Sequence, residues 1–365
     1  MVKKYALSIL CLLCLDYSNF IHKNEEAAFK AASFSITLLY MCYSAPQLLD
    51  KINDYIKQMP YARPPMGLYE PIQYELSLGG KRIHPVLMLM AYNLFKDDVE
   101  TILSQAVGLE TYHNHTLLHD DVMDKADMRR GKPTVHNVWN ENTAILSGDA
   151  MLILAYQLMA DCPNEKLKSV LDIFLQTTME ICEGQQWDME FETRMDVSID
   201  EYIEMIRLKT SVLLAAALKI GACLAGASEQ DCNQLYEFGL KMGLAFQLQD
   251  DYLDVYGDPK VFGKNIGGDI YCNKKTYMLI TALQKADAAQ LEELNKWLAI
   301  KDNMHPEKLV AVTRIYNEIG VGECCMQKIN AYYDEGLAAL DIVTLPEERK
   351  IALKEFVCSM MDRKV

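Results

Sequence analysis

Positive charge is scarce in this chain: 36 Lys and Arg face 51 Asp and Glu, leaving a formal net charge of −15. Phosphate backbones reward a basic surface, so the balance excludes nucleic acid as the expected partner. Small phosphates stay open wherever cations gather locally. Paired CxxC modules at zinc spacing are missing too. The 11 cysteines are scattered and odd in number, and Cys11 and Cys14 sit in an apolar run as buried thiols rather than a redox pair. That usage fits a reducing, cytoplasmic location. No Ser/Pro/Gly-rich linker divides the chain, which argues for one domain. No alternating β-branched stretch bounded by hairpin turns appears.

Long hydrophobic runs are also lacking. Lys3-Lys4 followed by the apolar run 5–15 resembles the first two regions of a secretory signal, but no small-x-small cleavage site follows. The run is about half a membrane span, and the second apolar stretch, 34–43, is also too short. No stable membrane span is expected. From Pro46 onward the pattern becomes an amphipathic helix through Leu48, Leu49, Ile52, Tyr55 and Ile56. Residues 1–40 are therefore expected outside the fold, either because translation starts at Met41 or because they form a signal or anchor, and residues 41–365 are expected to form the one folded domain.

What the chain does have is helical period. Apolar residues recur at three-to-four spacing over 86–95, 106–122, 144–159, 167–182, 202–206, 213–224, 235–255, 277–283 and 309–319. Breakers fall between these stretches, among them Gly79-Gly80, Gly131-Lys132-Pro133, Cys162-Pro163-Asn164, Gly226 and Leu345-Pro346. The expected fold is all-α: a single-domain helical bundle whose sites are built from side chains projecting into the core.

Two copies of one acidic pattern stand out, Asp120-Asp121-Val122-Met123-Asp124 and Asp250-Asp251-Tyr252-Leu253-Asp254. Residues i and i+4 share a helix face, so Asp120 stacks over Asp124 and Asp250 over Asp254. Like charges so placed repel unless a cation sits between them. A few hard carboxylates with room for phosphate oxygens suit Mg²⁺. The bland alternative, two solvated acidic faces, fits a lone DxxxD better than two copies within apolar segments. Cations adjoin the motifs: Lys81 and Arg82 after the double glycine, Arg129-Arg130, Lys209-Thr210, Lys264, and Lys274-Lys275. Such groups can clamp a diphosphate. His113 lies two turns before Asp120, and Gln247 sits one turn before Asp250. Phosphate held by metal and cations inside an apolar bundle points to breaking a C–O bond to diphosphate and generating a carbocation.

The sequence resembles the trans-isoprenyl diphosphate synthases of the polyprenyl synthetase family. The likeness is carried by Gly79-Gly80-Lys81-Arg82, Leu118-His119 leading into the first acidic motif, Arg129-Arg130-Gly131-Lys132-Pro133-Thr134, Gly148-Asp149, Gly184-Gln185 with Asp188, Lys209-Thr210, Phe246-Gln247-Leu248-Gln249 leading into the second, Gly263-Lys264 and Gly267-Gly268-Asp269. The resemblance covers the chain from about residue 45 onward. It implies an isoprenoid-synthase bundle, a homodimer using three Mg²⁺ ions, and head-to-tail condensation of isopentenyl diphosphate with an allylic diphosphate (dimethylallyl, geranyl or farnesyl). It also implies residue roles. Asp120, Asp124 and Asp250 resemble metal ligands, supported by Asp121, Asp251 and Asp254. Arg129, Lys209, Gln247, Lys264 and Lys274 resemble the allylic-diphosphate clamp, with Lys209 and Thr210 facing the cation. Lys81, His113 and Arg130 resemble the isopentenyl diphosphate site. The released diphosphate would accept the final proton.

One departure is His84, where the family usually carries arginine. Neutral imidazole lacks arginine's forked, permanent charge, so binding there is expected to weaken and to follow a titration near pH ~6.5, unless Arg82 compensates. Chain length is expected to be set by residues upstream of Asp120. His115 and Tyr112, with Thr116 beside them, would floor a tunnel giving C15–C20 products, geranylgeranyl slightly ahead of farnesyl diphosphate. Two rivals are a class I terpene cyclase and a catalytically silent regulatory subunit. Cyclases typically pair one DDxxD with an Asn/Ser/Glu triad, whereas both motifs here are aspartate-rich. A silent subunit should have lost aspartates or clamp cations, and only His84 is altered.

Overall fold

A computed structural model of the chain describes residues 42–258, 266–300 and 306–361. Residues 1–40, expected outside the fold, and the clamp candidate Lys264 lie outside the described residues. The first half comprises helices α1 Ala45–Gln58, α2 Met66–Ser77, α3 Ile83–Asn93 and α4 Leu103–Met123, then strands β1 Met128–Arg129 and β2 Lys132–Pro133. Helices α5 Val135–Val138, α6 Glu141–Ala160, α7 Asn164–Thr193, α8 Ile199–Ile206, α9 Val212–Ala225 and α10 Glu229–Tyr256 follow. The remainder is α11 Gly268–Tyr271, α12 Tyr277–Lys285, α13 Ala288–Leu298, α14 Pro306–Ile319, α15 Val321–Ile342 and α16 Glu347–Met361.

Local chemistry sets many of these boundaries. The Asn140 side chain accepts from the Thr143 N–H at 2.9 Å to open α6, and Ser198 with Glu201 forms a reciprocal capping box on α8. Gly226, at φ 82°, closes α9 with bonds back to Ala222 and Cys223. The central helices are apolar on every side: α3 and α9 are almost wholly buried, and α9 packs between α3 and α10. Around this core α4 lies against α6, and α10 against α15. The segment Ile199–Ala225 is long and apolar enough to cross a membrane, but it is 78% buried inside the bundle. By the same measure Glu141–Ala160 qualifies and is only 33% buried.

The expected all-α bundle is observed, with two differences. A short antiparallel hairpin pairs Met128 with Pro133 and Arg129 with Lys132. Its turn residues Arg130 and Gly131 both take positive φ, 52° and 74°, as tight two-residue hairpins require. Four strand residues leave no room for the alternation by which strands are read from sequence. Helices α2, α13, α15 and α16 were not anticipated either: a charged residue, Glu75 or Lys350, sits in the buried stripe of α2 and α16, α13 buries only Leu294, and the stripe of α15 is diluted by glycine and cysteine. In α16 the buried positions are Lys350, Leu353 and Val357. Lys350 occupies the stripe by sending its ammonium to Asp341 O at 3.2 Å and Glu347 Oε1 at 3.1 Å.

Candidate active site

The two acidic motifs close their helices, the first at the C-terminal end of α4 and the second at that of α10. Lys274, just beyond α11, ties them together in space. Burial would lower its pKa, but the carboxylates of Asp188, Asp269, Asp251 and Asp124, drawn from both motifs, hold it above the ordinary lysine value. Asp120 is half-buried; burial raises its pKa while Lys209 opposes the rise. The Asp124 N–H bonds back to Asp120 O at 2.8 Å, keeping the two carboxylates on one helical turn.

The aspartates fall into two groups. Asp120 lines the cavity described below, and Asp124 is exposed at the helix end. Asp121, grouped with the metal ligands by sequence, is buried and turned elsewhere. Arg129 donates to it through Nε at 2.9 and 3.0 Å and through Nη2 at 2.6 Å. Its oxygens hold an arginine. Asp251 is likewise buried, receives the hydroxyl of Tyr202 and the Gln247 amide at 3.3 Å, and is pushed up to about 7 by burial and by Asp269. Asp254 Oδ2 accepts the Asp269 N–H at 3.0 Å, so it also fastens the loop that carries Lys274. Among the described residues no three His, Cys, Asp or Glu side chains converge as a preformed metal cage.

A cavity of about 500 Å³ opens beside Asp120 and runs down between α4, α7 and α9. Lys209 and Thr210 stand at its wall, on a π-helical segment, Arg207–Ser211, that joins α8 to α9. Such a bulge re-aims side chains and often marks a functional site. Gly184 on α7 makes it possible: a Cβ there would lie 2.4 Å from the Lys209 backbone nitrogen. Lys209 Nζ meets Asp188 Oδ2 at 2.6 Å. Burial would raise Asp188, but Lys274 and Lys209 pull it below the usual aspartate range. Thr210 Oγ1 donates to Gln247 Oε1 at 3.3 Å, which links this wall to Asp251.

His84 and His113 line one side of the cavity with ring centroids 4.4 Å apart. Burial, then the neighbouring imidazole, lowers His84 to about 3. Burial, then Arg130, Arg129 and Arg82, lowers His113 to about 3. The expected titration of His84 near pH ~6.5 is thereby corrected: the ring is neutral throughout the neutral range.

Nor can Arg82 compensate for it. Its guanidinium is buried, with Nη1 on Glu110 Oε1 at 2.7 Å and Nη2 on Leu76 O at 2.5 Å. It braces the glycine loop from within, while Lys81 remains exposed on the loop's outer side. Arg130 donates to Gly79 O, and at 3.4 Å to Asn114. Gly80 takes φ 124°, and a Cβ on it would lie 2.8 Å from the Arg130 guanidinium carbon. The double glycine thus seats the hairpin arginine against the loop.

Tyr112, two helical turns before Asp120, also lines the cavity, with His115 and Thr116 about a turn nearer to Asp120. His115 Nδ1 lies 2.9 Å from Gly148 O, and burial, then His119, lowers the ring to about 4. Sequence reasoning gave no role to Asp188, Tyr202, Phe246 or Met360. Asp188 was visible within the Gly184-Gln185 motif. Phe246 was likewise visible at the head of the run into the second acidic motif, whereas Tyr202 and Met360 follow no spacing and reach the site only through packing.

The model of the polyprenyl synthetase family matches residues 65–318. The chain belongs to the polyprenyl synthetase family. It is a prenyltransferase of that family. Among its relatives is the short chain isoprenyl diphosphate synthase of Methanocaldococcus jannaschii, 43% identical over 256 residues, covering 70% of this chain and 77% of the relative. A geranylgeranyl pyrophosphate synthase crystal structure superposes with a TM-score of 0.84 at 42% identity, covering 88% of this chain and all (100%) of that one. The Corynebacterium glutamicum geranylgeranyl pyrophosphate synthase, solved with isoprenyl diphosphate and magnesium, superposes with a TM-score of 0.76 at 28% identity, covering 88% and 98% of the two chains. Polyprenyl synthetases of known structure therefore share this architecture over nearly all of their length.

Proposed function

We propose that this polyprenyl synthetase condenses isopentenyl diphosphate with allylic diphosphates to an all-trans C15–C20 diphosphate. The observation that carries the reading is the apolar cavity running from Asp120, Lys209 and Thr210 down to Tyr112. From Asp120 to Tyr112 the helix rises about 12 Å, two to three isoprene units of about 5 Å each. A C10–C15 allylic chain fills that depth, and one further unit gives C15–C20.

The donor set of Asp120, Asp124 and Asp250 is all oxygen and does not close a cage, which suits Mg²⁺ completing its shell with substrate phosphates. Mg²⁺ would neutralise the allylic diphosphate and ease its departure. Lys209, Lys274 and Arg129, with Lys264, would hold that diphosphate. Asp121 and Asp188 keep Arg129 and Lys209 in place. The allylic C–O bond breaks and diphosphate leaves with the electron pair. The double bond of isopentenyl diphosphate then attacks the cation, and the released diphosphate accepts the proton lost. The Thr210 hydroxyl and Gln247 amide oxygen would face the positive charge, and the apolar wall keeps water from quenching it. Lys81, His113 and Arg130 would receive isopentenyl diphosphate, with neutral His84 contributing no charge.

We also infer a homodimer. Ile145, Leu146 and Ile153 on α6 are 45%, 61% and 60% exposed, and Leu175 and Met179 on the adjoining α7 are 49% and 62% exposed. An apolar face of that kind marks a covered surface. Residues 41–365 would act as one catalytic unit. A cytoplasmic location fits the free thiols found for every described cysteine. Incubation with labelled isopentenyl diphosphate and each allylic primer, followed by chain-length analysis, tests the activity. Asp120→Ala and Asp250→Ala should abolish incorporation with unchanged helicity, and EDTA should do so reversibly. Full activity in excess chelator would refute the metal assignment.

A further inference from the structure

We propose that Lys308, in the first turn of α14, is a positioning residue for Lys274: it fixes the turn that aims Lys274 at the allylic diphosphate. The proposal rests on the function inferred above and concerns a residue far along the chain from either acidic motif. Lys308 is fully buried (0% exposed) and shares the inner stripe of α14 with Val312, Ile315 and Tyr316. A buried ammonium is costly unless its three N–H groups find acceptors. Here the acceptors are Asn273 Oδ1 at 2.7 Å, Tyr271 O at 3.3 Å and Ile300 O at 3.3 Å. All three are neutral oxygens, so the side chain fixes geometry without drawing a carboxylate from the site. Tyr271 is the last residue of α11, and Ile300 follows the end of α13. Asn273 completes the junction, its Nδ2 donating at 3.0 Å to the carbonyl of Leu298, which ends α13.

The residue held in this way sets the direction of the next one. Asn273 takes φ 55°, a left-handed conformation that few residues other than glycine adopt and that asparagine tolerates. Lys274 follows, with its N–H on Asp269 O at 2.9 Å and its carbonyl accepting the Thr276 N–H at 2.9 Å. A change of φ at Asn273 would swing the Lys274 ammonium away from Asp124, Asp188, Asp251 and Asp269, the carboxylates that act on it. The turn has two anchors. Asp254 of the second acidic motif accepts the Gly267 N–H at 2.6 Å through its carbonyl and the Asp269 N–H at 3.0 Å through Oδ2. Lys308 supplies the other anchor, from a helix that carries none of the acidic motif.

The test is calorimetric binding of farnesyl thiodiphosphate, an allylic analogue that resists ionisation, with Mg²⁺ present, to wild type, Lys308→Met, Lys274→Ala and the double variant. We expect Lys308→Met to weaken binding about fivefold or more, and the double variant to bind no more weakly than Lys274→Ala alone. In turnover the KM for farnesyl diphosphate should rise in Lys308→Met while the KM for isopentenyl diphosphate stays within about twofold of wild type. Wild-type affinity in Lys308→Met, losses that add in the double variant, or an equal rise in both KM values would overturn the proposal. Should Lys308→Met not fold, Asn273→Gly decides, because it keeps the left-handed backbone accessible and removes both side-chain bonds. It should weaken the analogue in the wild-type background and not in Lys274→Ala; unchanged binding, or the same loss in both backgrounds, would overturn the proposal. Wild-type protein that binds no farnesyl thiodiphosphate would instead refute the inferred activity, and this proposal with it.

Discussion

Replacing Arg82 should cost folding stability and leave substrate affinity alone. The side chains of Arg82 and Glu110 are 3% and 1% exposed and meet at 2.7 Å. Glu110 Oε1 also accepts the Asn114 amide at 2.9 Å, and Arg82 Nη2 reaches Leu76 O. Arg82→Met removes the countercharge and strands a carboxylate in the interior, a change that typically costs about 3–5 kcal/mol. At roughly 2–3 °C per kcal/mol for a large domain, the apparent Tm should fall by about 6–15 °C. Adding Glu110→Leu removes the stranded charge and should recover most of the loss. Recovery stays partial, because Leu76 O and the Asn114 amide each lose a partner. Differential scanning fluorimetry on the two single variants and the double variant gives the coupling directly. The KM for isopentenyl diphosphate, measured well below each variant's Tm, should stay within about twofold of wild type. An unchanged Tm with a KM raised tenfold would refute the reasoning and return Arg82 to the substrate site.

The remaining predictions concern protonation and close approach. His84 is neutral above about pH 3, and His113 likewise, so the KM for isopentenyl diphosphate should show no step attributable to His84 between pH 6 and 8. His84→Arg should still lower that KM by adding a permanent charge; a KM that it leaves unmoved would detach position 84 from binding. The same two histidines bind protons more readily unfolded, near pH ~6.5, than folded, so stability should be complete above that value and fall as pH drops toward 3. Each should remove about 2 kcal/mol by pH 5, and His84→Gln should flatten the Tm profile over that interval. Gly184→Ala places a Cβ against the π-helical backbone at Lys209, so kcat should fall at least tenfold while the circular dichroism spectrum is kept. Wild-type kcat in that variant would show that Lys209 needs no such placement. Leu146→Glu with Ile153→Glu should shift the molar mass measured by light scattering from dimer to monomer. An unchanged mass would place the interface elsewhere.

Much of this was legible along the chain because the signals are local. Helical period and the breakers at Gly226 and Leu345-Pro346 are properties of neighbouring residues. So is the i, i+4 stacking of the aspartates. The repeated acidic motif with its adjoining cations carried the family and the chemistry, since a cation-dependent site needs those groups whatever bundle presents them. Helices such as α15 and α16 escaped because their buried stripes include lysine and cysteine, and their burial depends on what α10 and α3 place opposite them.

Tertiary structure decided which of the conspicuous charges line the cavity and which hold the frame. Asp120 and Asp121 are adjacent, and Lys81 and Arg82 are adjacent, yet each pair divides: Asp120 lines the cavity and Lys81 is exposed, while Asp121 and Arg82 are buried in ion pairs. In a helix successive side chains diverge by about 100°, and at Arg82 the left-handed backbone (φ 49°) turns the chain between it and Lys81, so adjacency carries no information about shared direction. The protonation of His84 was hidden for a related reason. Its pKa depends on burial and on a histidine from another helix, both set by packing. The floor of the cavity shows the same division. Sequence placed Tyr112 upstream of the first acidic motif, and only the packing of α4 against its neighbours made it part of a cavity wall, because a cavity is a volume and no single segment encloses one.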